Sequence, residues 1–193
     1  MELLDASTDQ RVQLRMPWAD FVRFLELRGE ASTPRITSID GVLELMSPSK
    51  SHEGLKSRIG RLLELWAALE GVAVSPFGST TLKQRRGQAA AEPDESYVVG
   101  RSELGQVPDI AVEVSWSRSG LDKLAVYGRL GVLEVWVCED ERLLVFALKG
   151  QRYVRRKKSQ FLPGLDLTWL ARFVMEPDNA KAVANLVAAY RRN

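Results

Sequence analysis

Two Pro-Asp pairs, Pro93-Asp94 and Pro108-Asp109, and a glutamate inside the apolar run Ile110-Ala111-Val112-Glu113-Val114 are the residues of this chain best suited to chemistry. An ionised carboxylate is almost never fully buried unless it is paired or bound to a metal. Glu113 is therefore expected to face a cleft holding a cation, a Lys or Arg side chain, or a shared proton. Strand alternation places Asp109, Ala111, Glu113 and Ser115 on one face, and Ile110, Val112 and Val114 on the other, which packs under a helix. Asp109 and Glu113 then stand roughly 13 Å apart at about 3.3 Å per residue, too far to share one Mg²⁺ whose ligands lie at about 2.1 Å. The partner acid must come from a neighbouring strand, where cross-strand neighbours lie about 5 Å away. Asp94, opening Asp94-Glu95-Ser96-Tyr97-Val98-Val99, is the candidate, and Asp109 is read as fixing the turn before its strand by bonding nearby backbone amides.

The elements that must carry these acids can be read from local signals. Trp18, Phe21, Phe24, Leu25 and Arg28 recur at helical spacing after Pro17, which suits a first turn. Arg35 to Ile39 and Val42 to Met46 flank Asp40-Gly41, a two-residue hairpin signal, and Ser47-Pro48-Ser49 breaks the second strand. Leu55, Ile59, Leu62, Leu63, Trp66 and Leu69 define a long helix from about Lys50 to Glu70, stopped by Gly71. Strands are expected near 72–76, 79–84, 94–99 and 108–115, with 86–92 as a loop, and the Ala89-Ala90-Ala91 run inside it as low complexity. Gly120 to Arg129 reads as a short helix. Segments 132–138, 142–147 and 151–155 read as strands, the last two an edge hairpin, and Asn179 to Arg192 as a final helix.

Composition bounds the partners. The chain has 27 basic and 25 acidic residues among 193, a net charge of +2, so any nucleic acid must be met by a local patch. Nothing resembles a secretion signal or an apolar run long enough to span a bilayer, and a cytoplasmic location is expected. The single cysteine, Cys138, sits in an apolar strand and reads as a small buried apolar residue. Trp66, Trp136 and Trp169 occupy core positions, while Trp116, just past Glu113, is the aromatic best placed to touch a substrate base, although burial is its plainer role.

The ordered set of Asp40-Gly41, Met46-Ser47-Pro48, His52, the long helix, Pro93-Asp94, Pro108 to Ser115, Asp122-Lys123, Tyr127 and Gly131 to Val137 resembles the Uma2 family, within the PD-(D/E)xK nuclease superfamily, over about residues 17 to 173. The resemblance implies an α/β, restriction-endonuclease-like domain, a mixed central β-sheet flanked by helices, acting as a metal-dependent endonuclease on DNA. It implies that Asp94 and Glu113 hold Mg²⁺ or Mn²⁺, with the main-chain carbonyl of Val114 as a further ligand, a hard oxygen set suited to those ions. The superfamily's lysine belongs two residues after the acid, where this chain has Ser115; Lys123 in the following helix takes the displaced place. It implies His52 as a base or phosphate contact, against a plain helix-start role, and Glu44 or Glu53 as an additional acid. For both glutamates a solvated surface position is the simpler reading, with Glu44 ahead because its neighbours are apolar.

The trio answers a real chemical need, since phosphodiester hydrolysis requires an activated water, neutralised nonbridging oxygens and a stabilised leaving alkoxide. Arg155, Arg156, Lys157 and Lys158 follow an edge strand and discourage edge pairing; with Lys83, Arg85 and Arg86 they are also the candidate phosphate contacts. Residues 1–176 are expected to form the nuclease domain and 177–193 a helical extension, whose Val183, Leu186, Val187 and Tyr190 share one face suited to self-association. A homodimer is expected, because two-fold symmetry serves cutting of both strands. Three rivals stand beside this reading: a nuclease fold that binds nucleic acid or a partner without cutting, an acid and base carboxylate pair acting on a glycoside, and a structural oligomerisation module.

Overall fold

A computed structural model describes residues 8–103, 105–114 and 120–192; Ser115 and Trp116 lie outside the described residues. In chain order the elements are β1 (Gln10–Arg15), α1 (Trp18–Arg28), β2 (Arg35–Ile39), β3 (Val42–Ser47), α2 (Lys50–Glu70), β4 (Val74–Pro76), β5 (Leu82–Gln84), β6 (Ala89–Ala91), β7 (Glu95–Val99) and β8 (Ile110–Val114). There follow α3 (Lys123–Leu130), β9 (Glu134–Glu139), β10 (Arg142–Lys149), β11 (Arg152–Arg156), α4 (Leu167–Val174) and α5 (Asn179–Tyr190). The β2–β3 hairpin turns on Asp40 and Gly41 at φ 52° and 73°, the paired positive angles that an Asp-Gly turn supplies. Helix α2 is capped by Ser49, whose hydroxyl accepts from the His52 amide at 3.2 Å, and closes on Gly71 in the left-handed region at φ 67°.

The strands form two sheets. The mixed sheet runs β11-β10-β9-β8-β7-β4, with β8 and β9 parallel and joined through α3, and its other pairs antiparallel. A second, antiparallel sheet runs β1-β3-β2-β6-β5. Helices α2, α4 and α5 cover one face of the mixed sheet, burying Ile110, Val112 and Val114 against Leu55, Ile59, Leu170 and Leu186. Its opposite face sends Ala111 and Val135 against Val126, Tyr127 and Leu130 of α3, which also meets Leu82, Ala89 and Ala91 of the second sheet. Helix α1 closes the far side of that sheet through Phe21 against Ile36, Leu43 and Ala90. The alternation expected along β8 is thus observed, with the apolar face under α2.

Four places differ from the sequence-based expectations. The 86–92 loop contains β6, whose three alanines are fully buried. Alanine is a weak strand former, but here its small side chain lets helices approach both faces of one strand. Strand β1 escaped notice because it is mostly polar and lies at a sheet edge, with Val12 and Leu14 largely exposed. Helix α4 was not anticipated; Asp166 caps it by accepting from the amides of Thr168 and Trp169 at 2.8 and 3.1 Å. The apolar face of α5 is spent within the chain, since Ala182 and Leu186 join the main core and the Tyr190 hydroxyl donates to the Leu69 carbonyl at 3.0 Å. Among the described residues no helix is long and apolar enough to cross a membrane.

Asp109 performs the turn-fixing role expected of it. Its carboxylate accepts from the Val99 amide at 2.8 Å and from both terminal nitrogens of Arg101 at 2.9 and 3.0 Å.

Two outcomes follow from the packing. Cys138 is 3 % exposed, and burial, outweighing nearby Arg58, pushes its thiol up to about 12. The native protein should resist a disulfide-exchange reagent at neutral pH and release its one thiol equivalent only in denaturant; rapid native labelling would contradict the packing. Ala90→Leu should cost about 1–3 kcal/mol in urea unfolding, because the site between α1 and β6 has no room for the added methylenes.

Candidate active site

Asp94 immediately precedes β7, whose Glu95 pairs with Val112, the residue before Glu113 on β8. The Asp94 amide donates to the Val112 carbonyl at 3.1 Å, which holds Asp94 against β8. Asp94, the acid anticipated as a partner for Glu113, thus lies beside the strand that carries Glu113. Both side chains are buried, Asp94 with no exposure and Glu113 with 6 %.

Each acid is held by its own set of donors. Asp94 Oδ2 accepts from the Val114 amide at 2.7 Å, and Oδ1 accepts from Arg35 Nη1 at 2.5 Å. His52 Nε2 also lies 3.0 Å from Asp94 Oδ1, within ion-pair reach, but it has no aligned hydrogen-bond partner. Glu113 Oε1 accepts from the Tyr127 hydroxyl in a very short contact and from Lys123 Nζ at 3.2 Å. Arg35 extends the set outward, bonding Glu53 Oε1 at 2.6 Å and the Pro93 carbonyl at 3.3 Å.

Local folding explains why these groups converge. His52 sits in the first turn of α2, and Lys123 and Tyr127 share one face of α3, a helix begun by Asp122 accepting from the Ala125 amide at 3.1 Å. A cation in the first turn of a helix opposes the helix dipole, so Lys123 is held there by Glu113 rather than by helix electrostatics. Arg35 comes from the start of β2 and crosses from the second sheet to the mixed one.

The electrostatics push the acids in opposite directions. Burial works against ionised Asp94, but His52, then Arg35 and Lys123, outweigh it and hold the carboxyl below its ordinary range. For Glu113 burial dominates; Asp94's charge adds to it, and Lys123 and Tyr127 do not compensate, so its carboxyl is raised. Burial also disfavours charged His52, yet the Asp94 and Asp9 carboxylates leave its imidazole raised above the usual value. Two acids pushed apart at close quarters are typical of catalytic and cation-binding pairs.

The other anticipated residues divide clearly. Glu53, 41 % exposed at its side chain, reaches the site through Arg35. Glu44 is 1 % exposed, not solvated, and it accepts from Arg11 at 2.9 Å, Gln13 at 2.9 Å and the Leu121 amide at 3.0 Å, without touching Asp94 or Glu113. Lys83, Arg85 and Arg86 are exposed about β5, at the edge of the second sheet. Arg155, Arg156, Lys157 and Lys158 are exposed at the end of β11, at the edge of the mixed sheet. Three of them line a cleft of about 1020 Å³ with Arg142 and Arg172, which contains none of the site acids. Arg35, Asp9 and Tyr127 were not singled out as site residues. Tyr127 stood in the ordered pattern, while an arginine opening a strand carries no local mark of burial.

A divalent cation suits the chemistry of the two carboxylates and the backbone oxygen beside them, because Mg²⁺ accepts one or two carboxylates and keeps several waters. Among the described residues no group of three or more His, Cys, Asp or Glu is arranged as a metal cluster, which limits the acidic donors to the pair. Arg35, His52 and Lys123 already offset their charge.

A family model described as Uma2, "Putative restriction endonuclease", matches residues 18–172. Among solved structures, a "putative nuclease belonging to DUF820 from Anabaena variabilis ATCC 29413" superposes with a TM-score of 0.53 at 15% identity, covering 79% of this chain and 94% of that one. At that identity the likeness is one of fold. No curated protein matches the chain.

Tyr127→Phe removes a donor from a buried carboxylate and leaves its shape nearly unchanged. It should lower stability by about 1–3 kcal/mol in urea unfolding; an unchanged midpoint would show that the Tyr127–Glu113 contact carries no weight.

Proposed function

We propose, from the premise that this chain belongs to the Uma2 family, that it is a metal-dependent endonuclease hydrolysing phosphodiester bonds of DNA. The observation that carries the reading is the convergence of Asp94, Glu113 and Lys123, from the approach to β7, from β8 and from α3, on one site. In this reading residues 1–176 are the nuclease domain, 177–193 a docked helical extension, and the protein works in the cytoplasm as a homodimer.

Asp94 and Glu113 would hold Mg²⁺ or Mn²⁺ with the Val114 carbonyl, and the ion would supply Lewis acidity toward the phosphate and an activated water. Lys123, 19 % exposed at its side chain, offsets charge developing on a phosphate oxygen and orients the attacking water. Tyr127 fixes the Glu113 oxygen to which Lys123 is bonded. His52, without exposure, acts on Asp94 from behind rather than on the substrate. Arg35 neutralises Asp94 through Nη1 and joins it through Nη2 to the more exposed Glu53. The exposed basic groups at Lys83, Arg85 and Arg86 and at Arg155, Arg156, Lys157 and Lys158 contact phosphates flanking the cut.

One observation favours a second reading, a nuclease fold that binds nucleic acid or a partner without cutting: both acids already have cationic partners, and among the described residues no third acid forms a metal-holding group with them. The two separate on supercoiled plasmid incubated with Mg²⁺ or Mn²⁺. The nuclease reading expects metal-dependent nicking that falls more than about 100-fold in Asp94→Ala, Glu113→Ala and Lys123→Ala. Binding without nicking supports the second reading, and equal nicking by every variant removes the site altogether.

A further inference from the structure

Strand β1 precedes the residues matched by the family model, 18–172, yet the turn leading into it sets a carboxylate against the site. Asp9 is 5 % exposed at its side chain and makes three contacts with it. Oδ1 accepts from the Ser49 amide at 2.8 Å, Oδ2 accepts from His52 Nδ1 at 2.9 Å, and Oδ2 lies 3.4 Å from Arg11 Nη2. Arg11 is fixed in turn by Glu44 at 2.9 Å. Ser49 caps α2 and His52 stands in its first turn, so one carboxylate grips both the cap and the ring.

The ring's other nitrogen faces Asp94 Oδ1 at 3.0 Å and has no aligned hydrogen-bond partner. A carboxylate can only accept, so Nδ1 carries a proton toward Asp9, and Nε2 is the atom turned to Asp94. Without Asp9 the buried imidazole loses the carboxylate bonded at Nδ1 and keeps only the one facing Nε2.

We infer that Asp9 is a positioning residue: it sets the orientation of His52, and through His52 the placement of Asp94, so that the strand ahead of the family-matched region completes the site. Its effect on a bound ion rests on the nuclease reading; its effect on the ring does not.

The chain's single histidine makes the test direct. Nitrogen-resolved NMR of the metal-free protein should show His52 protonated at Nδ1 with a hydrogen-bonded proton. That signal should be lost in Asp9→Ala and kept in Asp9→Asn, whose amide oxygen still accepts. Mn²⁺ binding should weaken about 10-fold in Asp9→Ala, as loss of outer partners of metal ligands does, and recover in Asp9→Asn. A wild-type ring protonated only at Nε2 would overturn the inference without any variant. So would an Asp9→Ala protein with the wild-type ring signal, or one that is merely less stable while binding Mn²⁺ normally. Absence of Mn²⁺ binding by the wild type would count against the nuclease reading, and the ring signal would then decide the role of Asp9 alone.

Discussion

Two buried carboxylates, Asp94 just ahead of β7 and Glu113 on the adjacent β8, form the constraint on which the site depends. Such a pair repels itself and is stripped of water, and each cost is several kcal/mol unless opposite charge or hydrogen bonds offset it. The surrounding residues answer that need in separate ways. Asp94 is met by Arg35, His52 and a backbone amide and stays ionised, whereas Glu113 is met by Lys123 and Tyr127 and is pushed toward its protonated form.

The second sheet acquires its purpose from the same constraint. The mixed sheet alone supplies the acids, but β2 delivers Arg35 across the junction, and the turn into β1 delivers Asp9 behind His52. Helix α3, packed between the sheets, presents Lys123 and Tyr127 to Glu113 from the remaining side. The layering therefore converges three independent elements on one strand end, and a change in sheet packing is felt at the site as a change in charge balance.

Much of this was readable from local chemistry. The Asp-Gly hairpin, the Ser49-to-Gly71 helix and the alternation of β8 are encoded within a few residues of where they occur, and strand geometry alone separated Asp109 from Asp94. The parts that escaped depend on distant contacts. Asp9 and His52 are 43 positions apart, and Arg35 and Asp94 59 apart, so neither pair leaves a local pattern. Strand β6 was hidden because alanine signals small size rather than strand. Glu44 was read as a solvated surface acid and is buried, a difference its apolar neighbours hinted at, while its partner Arg11 lay in an edge strand with no apolar periodicity to reveal it.

The most direct test of the account is where a divalent cation sits. Anomalous diffraction from crystals soaked in Mn²⁺ should show a peak contacted by both Asp94 and Glu113, with Lys123 beside it. A fully occupied peak elsewhere, or none at these carboxylates at saturating Mn²⁺, would contradict the claim that this buried pair is a metal-dependent catalytic centre.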